Sequence, residues 1–121
     1  MGLSELLAVG AGGAFGAVAR YFVGQALPNR SVPWSTLVVN VTGSFLLGLV
    51  TAVAANEALQ LTLAVGVCGA FTTYSSFSFQ TVTRWREGDR RLAVAYACGT
   101  LVLSLAAYAL AWKLAVGLHD W

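Results

Sequence analysis

The 121-residue chain is 58% hydrophobic and only 10% charged, with seven Lys and Arg against five Asp and Glu, and its mean hydropathy is +0.73. This is outside the usual mix of a soluble domain of its size. The one histidine, His119, falls in the C-terminal tail, and Cys68 and Cys98 both sit inside apolar stretches, so His-dependent catalysis or a His metal site has no support and no metal-ligand spacing is present.

Four hydrophobic spans are predicted in one membrane domain, at about 3–25, 33–55, 58–84 and 91–117 of residues 1–121. The first is the least typical, with Glu5 near its start and a Gly-rich apolar core from Leu6 to Ala19 closed by Arg20. A cleaved leader does not fit it, because no Lys or Arg precedes the apolar run and no polar mature chain follows. The other three contain the uncharged stretches Trp34 to Ala55, Ala58 to Thr83 and Leu92 to Trp112, each longer than the roughly 20 residues that cross a bilayer. Connections are short, and lipid supplies no partners for backbone polar groups, so the expected fold is an all-α bundle of four transmembrane helices. Gly12 and Gly16 form a GxxxG pair and Ser44 and Gly48 a second small-residue pair, which suits close packing either within the chain or between chains.

Positive charge is one-sided. With four spans, the first and third connections share a side that collects Arg20, Arg30, Arg84, Arg86, Arg90 and Arg91, against Lys113 on the other. The positive-inside rule then places both termini outside the cytoplasm.

Within the second span Asn40 is an amide that hydrocarbon leaves costly to strand. Interhelical hydrogen bonding and a donor facing an anion path both fit it. The third span is long for one helix, about 39 Å against a core of about 30 Å, and its middle reads Gly69-Ala70-Phe71-Thr72-Thr73-Tyr74-Ser75-Ser76-Phe77-Ser78. A break is expected there, since freed carbonyls at membrane depth can coordinate a cation. The alternative is a continuous helix whose hydroxyls bond back to carbonyls one turn earlier. Tyr74 and Phe77 share a face, and aromatic ring edges can stabilise a small anion. In the fourth span Tyr96, Thr100, Ser104 and Tyr108 recur every four residues on one stripe. Arg20 suits an interface anchor or a vestibule that draws anions.

Three segments together resemble the Fluc (CrcB) family of fluoride channels: Gly13 to Tyr21, Thr36 to Phe45, and Gly66 to Phe77 with its Gly69-Ala70-Phe71-Thr72-Thr73-Tyr74-Ser75-Ser76-Phe77 run. The resemblance implies passive export of cytoplasmic fluoride by a multi-pass protein of the cell membrane. It further implies an antiparallel dimer of four-helix subunits with two pores. A structural sodium ion would sit at the dimer interface on the backbone carbonyls of Gly69 and Thr72. Asn40, Tyr74, Ser75, Ser76, Phe77, Tyr96, Thr100 and Ser104 would line the fluoride path, with Arg20 at the vestibule.

The sequence departs from that pattern where Tyr74 replaces a common Phe, Gln80 a common Glu and Ala70 a common Gly. The one-sided arginines point to one half of a heterodimer, whose partner is a homologous chain of opposite charge bias, and Tyr74 and Gln80 support the alternative of a noncatalytic subunit whose own pore is inactive. A small proton-coupled multidrug exporter is the competing class. It needs a carboxylate deep in the membrane, which Glu5, Glu57, Glu87, Asp89 and Asp120 do not supply. No nucleophile has a neighbouring base, so an enzyme is not expected.

Overall fold

The structure, a computed structural model, describes residues 2–27, 32–53 and 56–119. Arg30 and Asp120 lie outside the described residues, as does the side chain of His119. Four helices are long and apolar enough to cross a membrane, as the distribution of charged residues predicts. The protein is an all-α, multi-pass membrane protein.

Helix α1 is Leu3–Ala26. Glu5, the charge that makes this span atypical, lies in the first turn, where its carboxylate accepts a 3.1 Å hydrogen bond from the Gly2 N–H and meets the positive end of the helix dipole. Helix α2, Trp34–Val53, follows Pro33, whose carbonyl accepts the Leu37 N–H at 3.1 Å.

The third span is built from two helices. Its first part, α3, starts at Glu57–Gln60, widens into a π-helical segment at Leu61–Cys68 and ends in a turn at Gly69–Phe71. Asn56 caps it by accepting the Leu59 N–H at 2.7 Å. Thr72 (φ −81°, ψ 161°) and Thr73 (φ −146°, ψ 117°) are extended, and helix α4 then runs over Tyr74–Arg86. A turn with Gly88 at φ 89° leads into α5, Arg90–His119. The positive φ suits glycine, which has no Cβ to clash there.

The bundle is held by close approach of backbones. A Cβ on Gly12 would run into the Thr62 carbonyl oxygen and one on Gly16 into that of Val67. The GxxxG pair therefore packs α1 onto α3 within the chain. A Cβ on Gly66, facing them, would meet Val9 O at 2.8 Å. Gly48 does the same between α2 and α5, where a Cβ would lie 2.5 Å from Tyr108 O. Small residues at these crossings give van der Waals contact that lipid cannot match. The α2–α5 and α1–α3 crossings are the most extensive in the bundle, and they frame the interruption at Thr72–Thr73.

Candidate ion-conduction site

Two extended residues at membrane depth strand backbone polar groups, and Asn40 of α2 answers for one of them. Its Nδ2 donates to Thr73 O at 3.0 Å, and its Oδ1 accepts the Thr73 N–H at 2.8 Å. The amide thus clamps a single peptide residue from both sides, which is the interhelical bonding its position allows. One N–H of the amide takes part, so the second remains as a donor. The Asn40 carbonyl in turn accepts Ser44 Oγ–H at 2.7 Å, tying the clamp to its own helix.

The interruption takes the helical N–H donors from the carbonyls of Gly69, Ala70, Phe71 and Thr72, and side chains divert two of those donors. In an unbroken helix the Thr73 N–H would close on Gly69 O, and the Ser76 N–H on Thr72 O. Here the first goes to Asn40, and the second goes to Thr73 Oγ1 at 3.1 Å, which caps α4. Gly69 O and Thr72 O are the pair that the sequence resemblance implies for a cation. The Thr72 side chain turns back, its hydroxyl donating to Cys68 O at 2.9 Å.

Two cavities meet at Thr73. One, of ≈ 330 Å³, includes Asn40, Thr72, Tyr74, Phe77, Thr100 and Ser104 in its wall, along with Gly69. The other, of ≈ 390 Å³, opens among Arg20, Gln25, Thr36, Ser76 and Gln80. It lies along the last part of α1, the first half of α4 and the start of α2.

Tyr74, Phe77 and Tyr96 form an aromatic row, of which Tyr74 and Phe77 line the first cavity and Tyr96 borders neither of the two. The rings of Tyr74 and Phe77 are 6.2 Å apart and those of Phe77 and Tyr96 5.5 Å, all tilted. Tyr96, only 5% exposed, donates its hydroxyl to Gln80 Oε1 at 3.1 Å. Tyr74 is 82% exposed. Ser75 is exposed and borders neither cavity.

The fourth-span stripe is divided in use. Tyr108 shares a hydrogen bond with Thr51 Oγ1 at 3.2 Å, which joins α5 to α2. Thr100 Oγ1 and Ser104 Oγ, both in the wall of the first cavity, are buried and have no hydrogen-bond partner among the described residues. Ser44, Thr51, Thr62, Thr72, Thr81 and Thr83 all bond back to a carbonyl one turn earlier. Thr100 and Ser104 do not, and their oxygens lie buried at the cavity wall without a partner among the described residues.

Sequence reasoning missed Thr73, which borders both cavities, and Gly43, whose added Cβ would strike the Thr72 methyl. A signal for Thr73 existed: an amide as costly to strand as Asn40 requires a partner of matching donors and acceptors, and a broken backbone is one.

The profile of the family described as CrcB-like protein, Camphor Resistance (CrcB), matches residues 7–112. Similar curated proteins include "Fluoride-specific ion channel FluC 2" of Haloarcula marismortui, 45% identical over 86% of this chain and 87% of the relative. A protein of the same name from Natronomonas pharaonis is 48% identical over 88% and 90%. "Fluoride-specific ion channel FluC" of Thermus thermophilus is 42% identical over 94% and 95%. With the match covering all four spans and both sides of the Thr72–Thr73 interruption, the chain belongs to the CrcB family.

Proposed function

We propose that this chain is a fluoride-specific ion channel that lets cytoplasmic fluoride leave the cell passively, without enzymatic chemistry. The observation that carries the reading is a cavity walled together by Asn40, Phe77, Thr100 and Ser104, the last two with buried hydroxyls that have no partner among the described residues. A buried hydroxyl without a partner is costly, and fluoride, a small strong acceptor, would take the hydrogen bonds they offer. Arg20 at the outer cavity draws anions toward the mouth. The neutral donors of Ser76, Gln80 and Asn40 then replace water without trapping the ion as a fixed positive charge would. Ring edges of Phe77 and Tyr74 add a weak, non-trapping attraction.

The working unit in this proposal is an antiparallel dimer of two four-helix subunits, formed with a second copy or with a homologous chain. Tyr74, largely exposed on a membrane-buried helix, supports a covering partner, and the one-sided arginines support a partner of opposite charge bias. Carbonyls of Gly69 and Thr72, each without its usual helical donor, fit a structural Na+, for which hard oxygen ligands are the suitable chemistry. Such an ion would hold the two interruptions together at the dimer interface and takes no part in the transport step.

Fluoride efflux from liposomes tests the function, with this chain alone and then coexpressed with a homologue. Flux specific for fluoride in either arrangement is expected, with loss in Phe77→Ile while the oligomer persists. Absence of flux in both arrangements refutes the channel assignment.

A further inference from the structure

Spacing puts Tyr96 on the polar stripe of the fourth span, yet it lines neither cavity at Thr73. It borders instead a mostly apolar space of ≈ 170 Å³ between α2 and α5, whose walls include Trp34, Leu37 and Leu103. Its hydroxyl reaches out of those surroundings to α4, where it donates to Gln80 Oε1 at 3.1 Å. Gln80 does line the second cavity, with Arg20, Thr36 and Ser76. Tyr96 therefore meets the path at one remove, through the glutamine amide.

That bond decides which end of the amide the cavity receives. The two ends of a carboxamide are close in size and opposite in character: the oxygen accepts, and the NH2 carries two donors. With Oε1 occupied by the Tyr96 hydroxyl, Nε2 is the end left for the cavity, and it donates to no described residue. The reverse orientation would present an acceptor oxygen to an anion and repel it. Gln80 is only half-buried, so its amide needs a partner to keep one orientation. The ring that supplies this partner is itself held, packed 5.5 Å from Phe77 between ring centroids.

We propose that Tyr96 is a positioning residue for fluoride: its hydroxyl holds Gln80 with the NH2 turned into the Arg20 cavity, where the amide donates to the ion, and Tyr96 does not touch the ion. This rests on the channel reading above and assigns the tyrosine its part in it. Fluoride efflux is measured for the native chain, Tyr96→Phe, Gln80→Met and the double variant, in whichever arrangement conducts. Phenylalanine keeps the ring against Phe77 and deletes only the hydroxyl, whereas methionine keeps the length of glutamine and deletes the amide. Gln80→Ala takes the place of Gln80→Met if the latter does not fold. Tyr96→Phe should slow efflux about threefold, the population change that one hydrogen bond of average strength in a membrane bundle imposes, and Gln80→Met should slow it at least as much. In the Gln80→Met background Tyr96→Phe should have no further effect, because the hydroxyl has no amide left to hold. The same loss in that background overturns the proposal, since the hydroxyl would then act on the ion or on the fold. Unchanged efflux in Tyr96→Phe overturns it too.

A second readout needs no conduction. The side-chain N–H resonances of Gln80, assigned by their disappearance in Gln80→Met, are followed by NMR as sodium fluoride is added to the purified full-length chain, with sodium chloride as the control. They should move with fluoride and not with chloride, and Tyr96→Phe should need about threefold more fluoride for the same shift. Resonances indifferent to fluoride overturn the proposal. Resonances that respond in a chain that conducts in neither arrangement support it and refute the channel reading alone.

Discussion

Replacing Asn40 by Leu removes both hydrogen bonds that hold the Thr73 peptide while keeping a side chain of similar volume. Thr73 is 8% exposed, so water can reach it only from the two cavities it borders. Each stranded buried group costs about 1–3 kcal/mol in soluble proteins, but hydrogen bonds within membrane bundles average about 0.6 and reach about 1.7 kcal/mol. Two bonds then give about 1–3 kcal/mol for Asn40→Leu. Asn40→Asp keeps the acceptor for the Thr73 N–H but faces the Thr73 carbonyl with a second oxygen. It loses one bond and adds repulsion, so its cost is at least comparable. Both variants should unfold in detergent at a lower temperature than the native chain, and both should lose fluoride efflux, because Thr73 stands between the two cavities. Native thermal stability in Asn40→Leu would refute the clamp. Native flux in a variant with lowered stability would show that the clamp supports the backbone without setting the path.

Other substitutions separate packing from conduction. Thr100→Val and Ser104→Ala delete hydroxyls that have no partner among the described residues, so thermal stability should hold or rise while fluoride efflux falls. A matched loss of both would place those hydroxyls in the fold and not in the path. Gly43→Ala drives a methyl into the Thr72 side chain and should cost about 1–3 kcal/mol as overpacking. Thr72→Ser should relieve it, because serine lacks the offending methyl and keeps the hydroxyl for Cys68 O. Thermal melts of the two single variants and the double would detect that coupling as non-additivity. Gly16→Ala presses on the Val67 carbonyl, a backbone atom with little freedom to move, so a lower melting temperature is expected with an unchanged oligomer on size exclusion.

Charge and chain length made three of the spans legible, since their uncharged intervals were each long enough to cross a bilayer, whereas the first had to be read through Glu5 and Arg20. The GxxxG pair was legible as a close contact but not as to its partner, because Gly12 and Gly16 present the same bare face to any helix. The structure assigns them to the Thr62 and Val67 carbonyls. Spacing put Tyr96, Thr100, Ser104 and Tyr108 on one stripe but could not say which of them were engaged. That depended on what lies across the bundle: Gln80 for Tyr96, Thr51 for Tyr108, and a cavity for the two between them. Thr72 and Thr73 are chemically alike and adjacent, so sequence gave no means to tell which peptide Asn40 would hold.

That ambiguity matters because the two threonines divide the work of the interruption. Ending α3 at Phe71 would strand carbonyls on one side and amides on the other. Thr73 takes the side facing α2: its peptide is clamped by Asn40, and its hydroxyl caps α4. The Ser76 N–H is thereby diverted from Thr72 O, and the Thr73 N–H from Gly69 O. The hydrogen bonds that stabilise the interruption are thus the ones that take the helical donors from Gly69 O and Thr72 O, residues that line the same cavity as Asn40 and Phe77, so the proposed anion path and the proposed cation site trace to a single rearrangement. Asn40 is the residue on which both depend, and substituting it should disturb Na+-dependent stability and fluoride flux together, whereas Thr100→Val should disturb flux alone.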